Sequence, residues 1–506
     1  MTNLKFHKET WFYKPLLAAL FLGISRLPLH LGFLVFFGLI PLFSFFDDHP
    51  SIGNLIKAGM VFGISYTFIA LHWVALVTVP GLFGLFILFS LYFFLLFLVL
   101  SFGWNHLHHF RFFFVIITWV AFEYIQTFGE FRFPWFNLGY SLAEYLPLIQ
   151  LADLGGIYLL SGCIALVNSV VYGWRKKPLI AGVVTVCILA GWMGYGAWRL
   201  HTLPVKTTTA QVGIVQGSIP QEKKWDDEYR DWQLDIYSKL SRELAEDGAK
   251  LVILPESAIP GYVFRRPYLR HYVTSLSKDL NVDIFTGFPH YTRRLNSSDN
   301  PYLFYNSCTR IDTNGHFYPL YYKNILVPFG ERMPLLSIFP FLWNFQLGQA
   351  NFEYGDTLAF YQFGEYRYSP EICFEVAFPA HTRHMTQQGI DFIVNITNDA
   401  WFKRSAGTYQ HAMMARIRAV ETRRQLYRAA NSGISMVISP KGEILRRTKL
   451  FDRTTLMHPV QQCPVNSPFT KFGYWFAFAC AVASGILLGV AVVMCKIKKG
   501  GETQKA

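Results

Sequence analysis

Charged side chains are scarce in this 506-residue sequence: Asp, Glu, Lys and Arg make up 16% of it, against 52% hydrophobic residues. Between Ala58 and Phe110, a run of 53 residues, there is none at all. A chain so apolar is neither disordered nor fibrous, and a run that exceeds twice the roughly 20 residues of a membrane-crossing helix excludes an ordinary soluble enzyme. Cysteine is sparse as well. The seven, at 163, 187, 308, 373, 463, 480 and 495, form no C-x-x-C pair, which argues against a structural zinc site or a dense disulfide framework. Three of them, Cys308, Cys373 and Cys463, lie in the polar part of the chain, and an odd number leaves at least one free thiol there. His106, His108 and His109 cluster at a boundary without a neighbouring carboxylate, so no metal is expected, and no motif calls for a cofactor.

What the sequence does have is a succession of uncharged stretches. Besides Ala58 to Phe110, which reads as two spans broken at Pro80 and Gly81, they run from Leu27 to Phe46, Phe112 to Phe122, Leu154 to Trp174, Pro178 to Trp198 and Phe472 to Cys495. With residues 11 to 25 the count is about eight spans. The first has no convincing cleavage site after it and reads as a retained span. Glu123, at one end of its stretch, is either an interfacial, snorkelling acid or a functional one. Lys5, Lys8, Lys57, Arg111, Arg175, Lys176, Lys177, Lys496, Lys498 and Lys499 all fall on one side, which the positive-inside rule makes cytoplasmic. The expected organisation is a membrane domain over 1–200, an exported domain over 201–470, a C-terminal membrane helix over 471–496 and a cytoplasmic tail over 497–506. Anchoring accounts for the net charge of +13, and no nucleic-acid partner is implied.

Between 202 and 470 the pattern turns to short β-rich runs and amphipathic helices. Residues 211–216, 250–254, 282–287, 304–311, 392–396 and 435–439 read as strands, and a further strand leads into Cys373. Trp232, Ile236, Leu240 and Leu244 mark one face of a helix, with more helices over 268–280 and 410–424. Such alternation predicts a layered α/β domain.

Three residues of this domain carry reactive groups at strand ends or in connecting segments. Glu256 stands in L-P-E-S-A-I-P, Lys323 in Y-Y-K-N-I-L-V-P-F-G-E and Cys373 in P-E-I-C-F-E. A carboxylate base, a cation and a thiol are the parts for acyl transfer through a thioester: the base and the cation help the thiol attack, and the cation with a backbone N–H receives the oxyanion. Singly, each has a plain alternative: Cys373 as a small buried apolar residue, Glu256 as a helix N-terminal charge, Lys323 as a solvated turn residue.

The order Glu, Lys, Cys and its flanking sequence resemble the nitrilase superfamily, which implies an αββα sandwich. With the spans, the whole chain is similar to the bacterial apolipoprotein N-acyltransferases. F-P-W-F-N-L-G-Y-S at 133–141, I-P-Q-E-K-K-W at 219–225 and N-D-A-W-F at 398–402 carry that resemblance too. It implies Glu256 as general base, Lys323 as oxyanion stabiliser, Cys373 as nucleophile, Glu331 and Glu375 in support, and Trp225, Asn398, Asp399 and Trp401 as substrate contacts. It implies an acyl chain taken from a phospholipid and passed to the α-amine of a diacylglyceryl-modified apolipoprotein in the inner membrane, by a monomer. Phe374 departs from the tyrosine that many members have after the nucleophile. The apolar run Leu335, Leu336, Ile338, Phe339, Phe341, Leu342, Trp343 and Phe345 is either a gate that dips into lipid or ordinary core. A membrane-tethered amidohydrolase and a transporter with an exported binding domain are the competing readings.

Overall fold

The protein is described by a computed structural model over residues 10–175, 177–294, 301–336, 338–344 and 351–503. Lys5, Lys8, Lys176 and Phe345 lie outside the described residues, as do the side chains of Lys498 and Lys499. The chain divides into two units, Met1–Leu200 with Phe472–Ala506, and His201–Lys471.

The first unit is helical: α1 (Thr10–Ile24), α2 (Ile40–Asp47), α3 (Ile52–Leu71), α4 (Val79–His106), α5 (Arg111–Ile125), α6 (Ala152–Gly173) and α7 (Pro178–Thr202). Five described helices are long and apolar enough to cross a membrane: α3, α4, α6, α7 and the C-terminal helix over Trp475–Ile497. The other three expected spans are shorter. Residues 27–46 carry Pro28, Gly32, Gly38 and Pro41, and fold as a short 3-10 turn, Gly32–Phe36, followed by α2. α1 and α5 have 15 residues each, about 22 Å of helix against a hydrocarbon core of about 30 Å. The break expected at Pro80 and Gly81 falls earlier, at His72 to Thr78. Thr78 caps α4 by accepting a hydrogen bond from Gly81 N at 3.3 Å, and Pro80 occupies the first turn, where its missing N–H costs nothing.

Glu123 does not snorkel to solvent. It is 1% exposed, and its Oε1 accepts from Trp119 Nε1 at 3.1 Å and from Leu138 N at 2.8 Å. The carboxylate thereby fastens the F-P-W-F-N-L-G-Y-S segment to α5.

The second unit is a four-layer sandwich. Its strands are β1 (Lys206–Gln216), β2 (Leu251–Ile253), β3 (Asp283–Arg293), β4 (Tyr302–Ile311), β5 (Tyr321–Tyr322), β6 (Tyr361–Phe363), β7 (Tyr366–Ile372), β8 (Phe392–Thr397), β9 (Gln425–Ala430), β10 (Met436–Ile438), β11 (Ile444–Arg447) and β12 (Thr454–Gln462). They form two six-stranded sheets, in the orders β12-β1-β2-β3-β4-β5 and β11-β10-β9-β8-β7-β6. β1, β2 and β3 run parallel in the first, and β7, β8 and β9 in the second. The period-2 alternation of strands divides the first sheet's side chains between two cores. Val212, Ile214, Leu251, Ile253 and Phe285 face the second sheet and meet Tyr368, Ile372, Phe392, Val394 and Tyr427. Val215, Val252, Leu254 and Ile284 face outwards onto helices α8 (Arg230–Glu246) and α9 (Pro267–Leu280). α10 (Pro379–Gln387) and α11 (Ala406–Thr422) cover the second sheet. On α8 the buried face is Leu234, Ile236, Tyr237, Leu240 and Leu244. Trp232 is not on it, being 37% exposed.

Candidate active site

In sheets with parallel centres, functional groups gather beyond the carboxyl ends of the strands, where the chain leaves regular pairing. Three segments meet there. Glu256 follows β2 across Pro255. The next residue, Ser257, has φ +50°, and Gly287 on β3 leaves room for this turn, since a Cβ there would stand 2.8 Å from Ser257 N. Cys373 follows β7 directly and itself has φ +52°, a strained setting for a residue with a side chain. Lys323 follows β5, with its N–H donating to Asn306 O on β4 at 2.9 Å.

The carboxylates and the lysine form one buried network. Lys323 Nζ donates to Glu331 Oε1 at 2.8 Å and stands 3.9 Å from Glu256 Oε1. Asn306 Nδ2 donates to Glu256 Oε1 at 2.6 Å and reaches Glu331 Oε1 at 3.3 Å. Glu256 Oε2 accepts from Asn398 N at 2.8 Å, and Glu331 Oε2 from Val327 N at 2.9 Å. Burial alone would favour neutral Lys323, but the charges led by Glu331 hold its pKa above that of an ordinary lysine. The ammonium is therefore a permanent positive charge at neutral pH.

Cys373 is partly exposed, whereas Cys308 and Cys463 are buried. Desolvation pushes the Cys373 thiol up, the Glu256 charge adds to this, and Lys323 opposes it. The resting thiol is thus protonated. A base must take the proton as the sulfur attacks. Phe374 is buried edge-on against Phe378, with ring centroids 5.1 Å apart, so an apolar contact occupies the position of the family's phenol.

Glu375 joins the segments of the lysine and the thiol. Its Oε1 accepts from Tyr321 OH at 2.7 Å, Asn324 N at 2.6 Å and Ile325 N at 3.2 Å, and its Oε2 accepts from Ile372 N at 2.7 Å. Asn398 and Asp399, expected to contact substrate, are engaged inside the domain. Asn398 Nδ2 donates to Gln221 Oε1 at 2.8 Å. Asp399 is 1% exposed, pairs with Arg428 at 2.7 Å and lies 2.9 Å from His411 Nδ1, while His411 Nε2 is 3.1 Å from Cys373 O. Burial would raise the Asp399 carboxyl, but Arg428 holds it well below the usual carboxylate range. Trp225 is 47% exposed, and Trp401 is half-buried with no partner for its indole N–H among the described residues. Sequence reasoning missed Asn306, Lys224 and His411. Only Lys224 carried a signal, through its place in I-P-Q-E-K-K-W.

The family described as Apolipoprotein N-acyltransferase N-terminal domain matches residues 18–170, and Carbon-nitrogen hydrolase matches residues 211–465. The apolipoprotein N-acyltransferase of Geobacter metallireducens is 35% identical over 386 residues, covering 74% of this chain and 73% of its own. The chain belongs to the apolipoprotein N-acyltransferase family. The member from Azotobacter vinelandii is 33% identical over 386 residues, covering 74% of this chain and 72% of its own. A solved amidase of the nitrilase superfamily, from Nesterenkonia AN1, aligns over 51% of this chain and 92% of its own at 17% identity and a TM-score of 0.40. The chain is a membrane enzyme whose αββα unit is a carbon-nitrogen hydrolase domain.

Proposed function

We propose that this enzyme moves an acyl chain from a phospholipid to the α-amine of the N-terminal diacylglyceryl-cysteine of an apolipoprotein, with Glu256, Lys323 and Cys373 as its catalytic residues. The observation that carries the reading is the meeting of these three, from separate strand ends, with a permanently charged Lys323 beside Glu256. Glu256 takes the thiol proton as Cys373 Sγ bonds to the ester carbonyl carbon. The oxyanion develops beside Lys323, and its collapse breaks the acyl C–O bond. The departing lysophospholipid oxygen takes the proton from Glu256, leaving a thioester. The acceptor amine then attacks the thioester carbon and yields its proton to Glu256. The C–S bond breaks, and the proton returns to Cys373.

Both substrates are lipids, and of the two readings of the apolar run the gate fits that demand: Ile338, Phe339 and Phe341 are 64%, 45% and 61% exposed, while Leu336 is buried. Three large apolar side chains close together on a surface favour a lipid contact over a core role. Asn398 and Asp399 are assigned to holding Glu256 and the Cys373 turn, leaving Trp225 and Trp401 as the substrate contacts. The basic ends of the spans support an outer-face position of the His201–Lys471 unit at the inner membrane. An amidohydrolase would pass the acyl group to water and has no need of long apolar helices.

Intact-mass analysis of protein purified from membranes tests the reading. The expected result is a mass increase of one acyl chain, lost in Cys373→Ala and discharged by a diacylglyceryl-cysteinyl peptide. Discharge by water at the same rate would mark a hydrolase.

A further inference from the structure

Lys224 belongs to the I-P-Q-E-K-K-W run, and the chemistry above gives this lysine no role. Its side chain is 1% exposed, and its ammonium donates to the backbone carbonyl of Glu256 at 2.8 Å. No carboxylate pairs with it among the described residues, whereas Lys323, the other buried lysine of the site, is paired with Glu331. The charged and titratable groups that act on it are Glu256, on the turn after β2, and Cys373, on the turn after β7. Its own segment is held from two sides. Gln233 Nε2 on α8 donates to Lys223 O at 2.9 Å and Lys224 O at 3.2 Å, and Gln221 is bonded to Asn398 beyond β8.

A neutral side chain would serve a single carbonyl acceptor as well and would avoid burying an ammonium, which is costly without a carboxylate beside it. What a cation adds is charge close to both the base and the thiol. We propose that Lys224 is a second fixed cation of this site, a positioning residue that pins the Glu256 turn and offsets the negative charge left on Cys373 when its proton leaves. The role rests on the assignment of Glu256 and Cys373 above. Burial brings the Lys224 pKa down to about 8 against the pull of Glu256, so its charge is present at neutral pH and is lost on the alkaline side.

The test is the rate at which iodoacetamide alkylates Cys373 in the detergent-purified full-length enzyme, located by peptide mass, between about pH 6.5 and 10. At pH 7 Lys224→Met should alkylate about tenfold more slowly than wild type, as expected for one pKa unit of lost thiolate stabilisation. Lys224→Arg should stay within about threefold of wild type at pH 7 and overtake it above about pH 9, because arginine keeps its charge. A Met variant as fast as wild type at pH 7 overturns the proposal. So do Met and Arg variants equally slow at every pH, which mark a packing role alone. Should the Met variant fail to fold, the alkaline comparison of Arg with wild type decides. Acylation of the same samples by phosphatidylethanolamine vesicles separates the two readings. A wild type that alkylates but accepts no acyl chain defeats the phospholipid donor, while the alkylation series still judges Lys224.

Discussion

Lys323 stands unequally between two carboxylates, with Glu331 Oε1 at 2.8 Å and Glu256 Oε1 at 3.9 Å. The nearer one neutralises and orients the ammonium, and the farther one keeps an oxygen that is not committed to a tight ion pair. A lysine bound closely by the base itself would compete with the thiol for that carboxylate. On the proposed assignment, the asymmetry separates charge balance, which falls to Glu331, from proton transfer, which falls to Glu256.

Glu331→Ala should unfold at lower denaturant, with a loss of about 3 kcal/mol, since deleting one partner of a buried ion pair leaves the other uncompensated. Thioester formation should fall as well, because Lys323 is then drawn onto Glu256. Denaturant titration and single-turnover acylation of the same preparation check this. A variant with wild-type stability and rate would remove Glu331 from the network.

Glu256→Gln keeps the shape and one of the two acceptor oxygens, so it gives up the hydrogen bond from either Asn306 Nδ2 or Asn398 N, and it should form thioester at least ~100-fold more slowly for want of a general base. Lys323→Arg keeps the charge but replaces a compact ammonium with a planar fork, and should raise the barrier by about 3 kcal/mol. Rapid-quench acylation with phospholipid alone distinguishes them from acceptor defects. Unchanged rates in both variants would show that neither residue has the role assigned to it.

Burial pushes the Glu371 carboxyl up to about 8, while in the unfolded chain it titrates near 4.5. The folded state thus holds the extra proton between those values, so this residue's contribution is fully present below about pH 4.5 and is lost as pH rises through about 8. Glu371→Gln, which cannot ionise, should melt at a temperature closer to or above wild type as pH rises from 5 to 8. A difference between the two melting temperatures that is flat over this range would contradict the buried, protonated state.

The placement of the His201–Lys471 unit on the outer face is tested with a cysteine at Asp235, an exposed position on α8. An impermeant maleimide should label Asp235→Cys in intact spheroplasts above the wild-type background. Labelling that appears only after the membrane is opened reverses the orientation.

Much of this was legible in the sequence where one physical signal dominates. Long uncharged runs declare α3, α4, α6 and α7, and β-rich runs leading to Glu256 and Cys373 declare β2 and β7, although only β2 is wholly apolar and β7 also buries Ser369 and Glu371. Residues 27–46 misled, since composition counts apolar side chains but Pro28, Gly32, Gly38 and Pro41 decide whether they form one helix. Trp232 matched a four-residue step yet lies off the core of α8, as periodicity cannot say where a buried face ends. Asn306 was invisible. It is an ordinary strand residue until the fold sets it between Glu256 and Glu331, and no local pattern records a contact made across 50 and 25 positions of chain.

Glu375 gives the site a property that no single catalytic residue has. Because one carboxylate accepts from Ile372 N on the thiol side and from Asn324 N and Ile325 N on the lysine side, the segments that carry Cys373 and Lys323 are tied together as a single jaw. In an exchange between an acyl donor and an acyl acceptor of different shape, such a jaw presents the same bite to both. Adaptation to a bulky phospholipid and then to a peptide end must come from the parts it does not grip: the Glu256 turn, the exposed Trp225, and the apolar segment around Phe339. Selectivity between lipids and acceptors would then evolve at that rim, while the jaw keeps the chemistry constant.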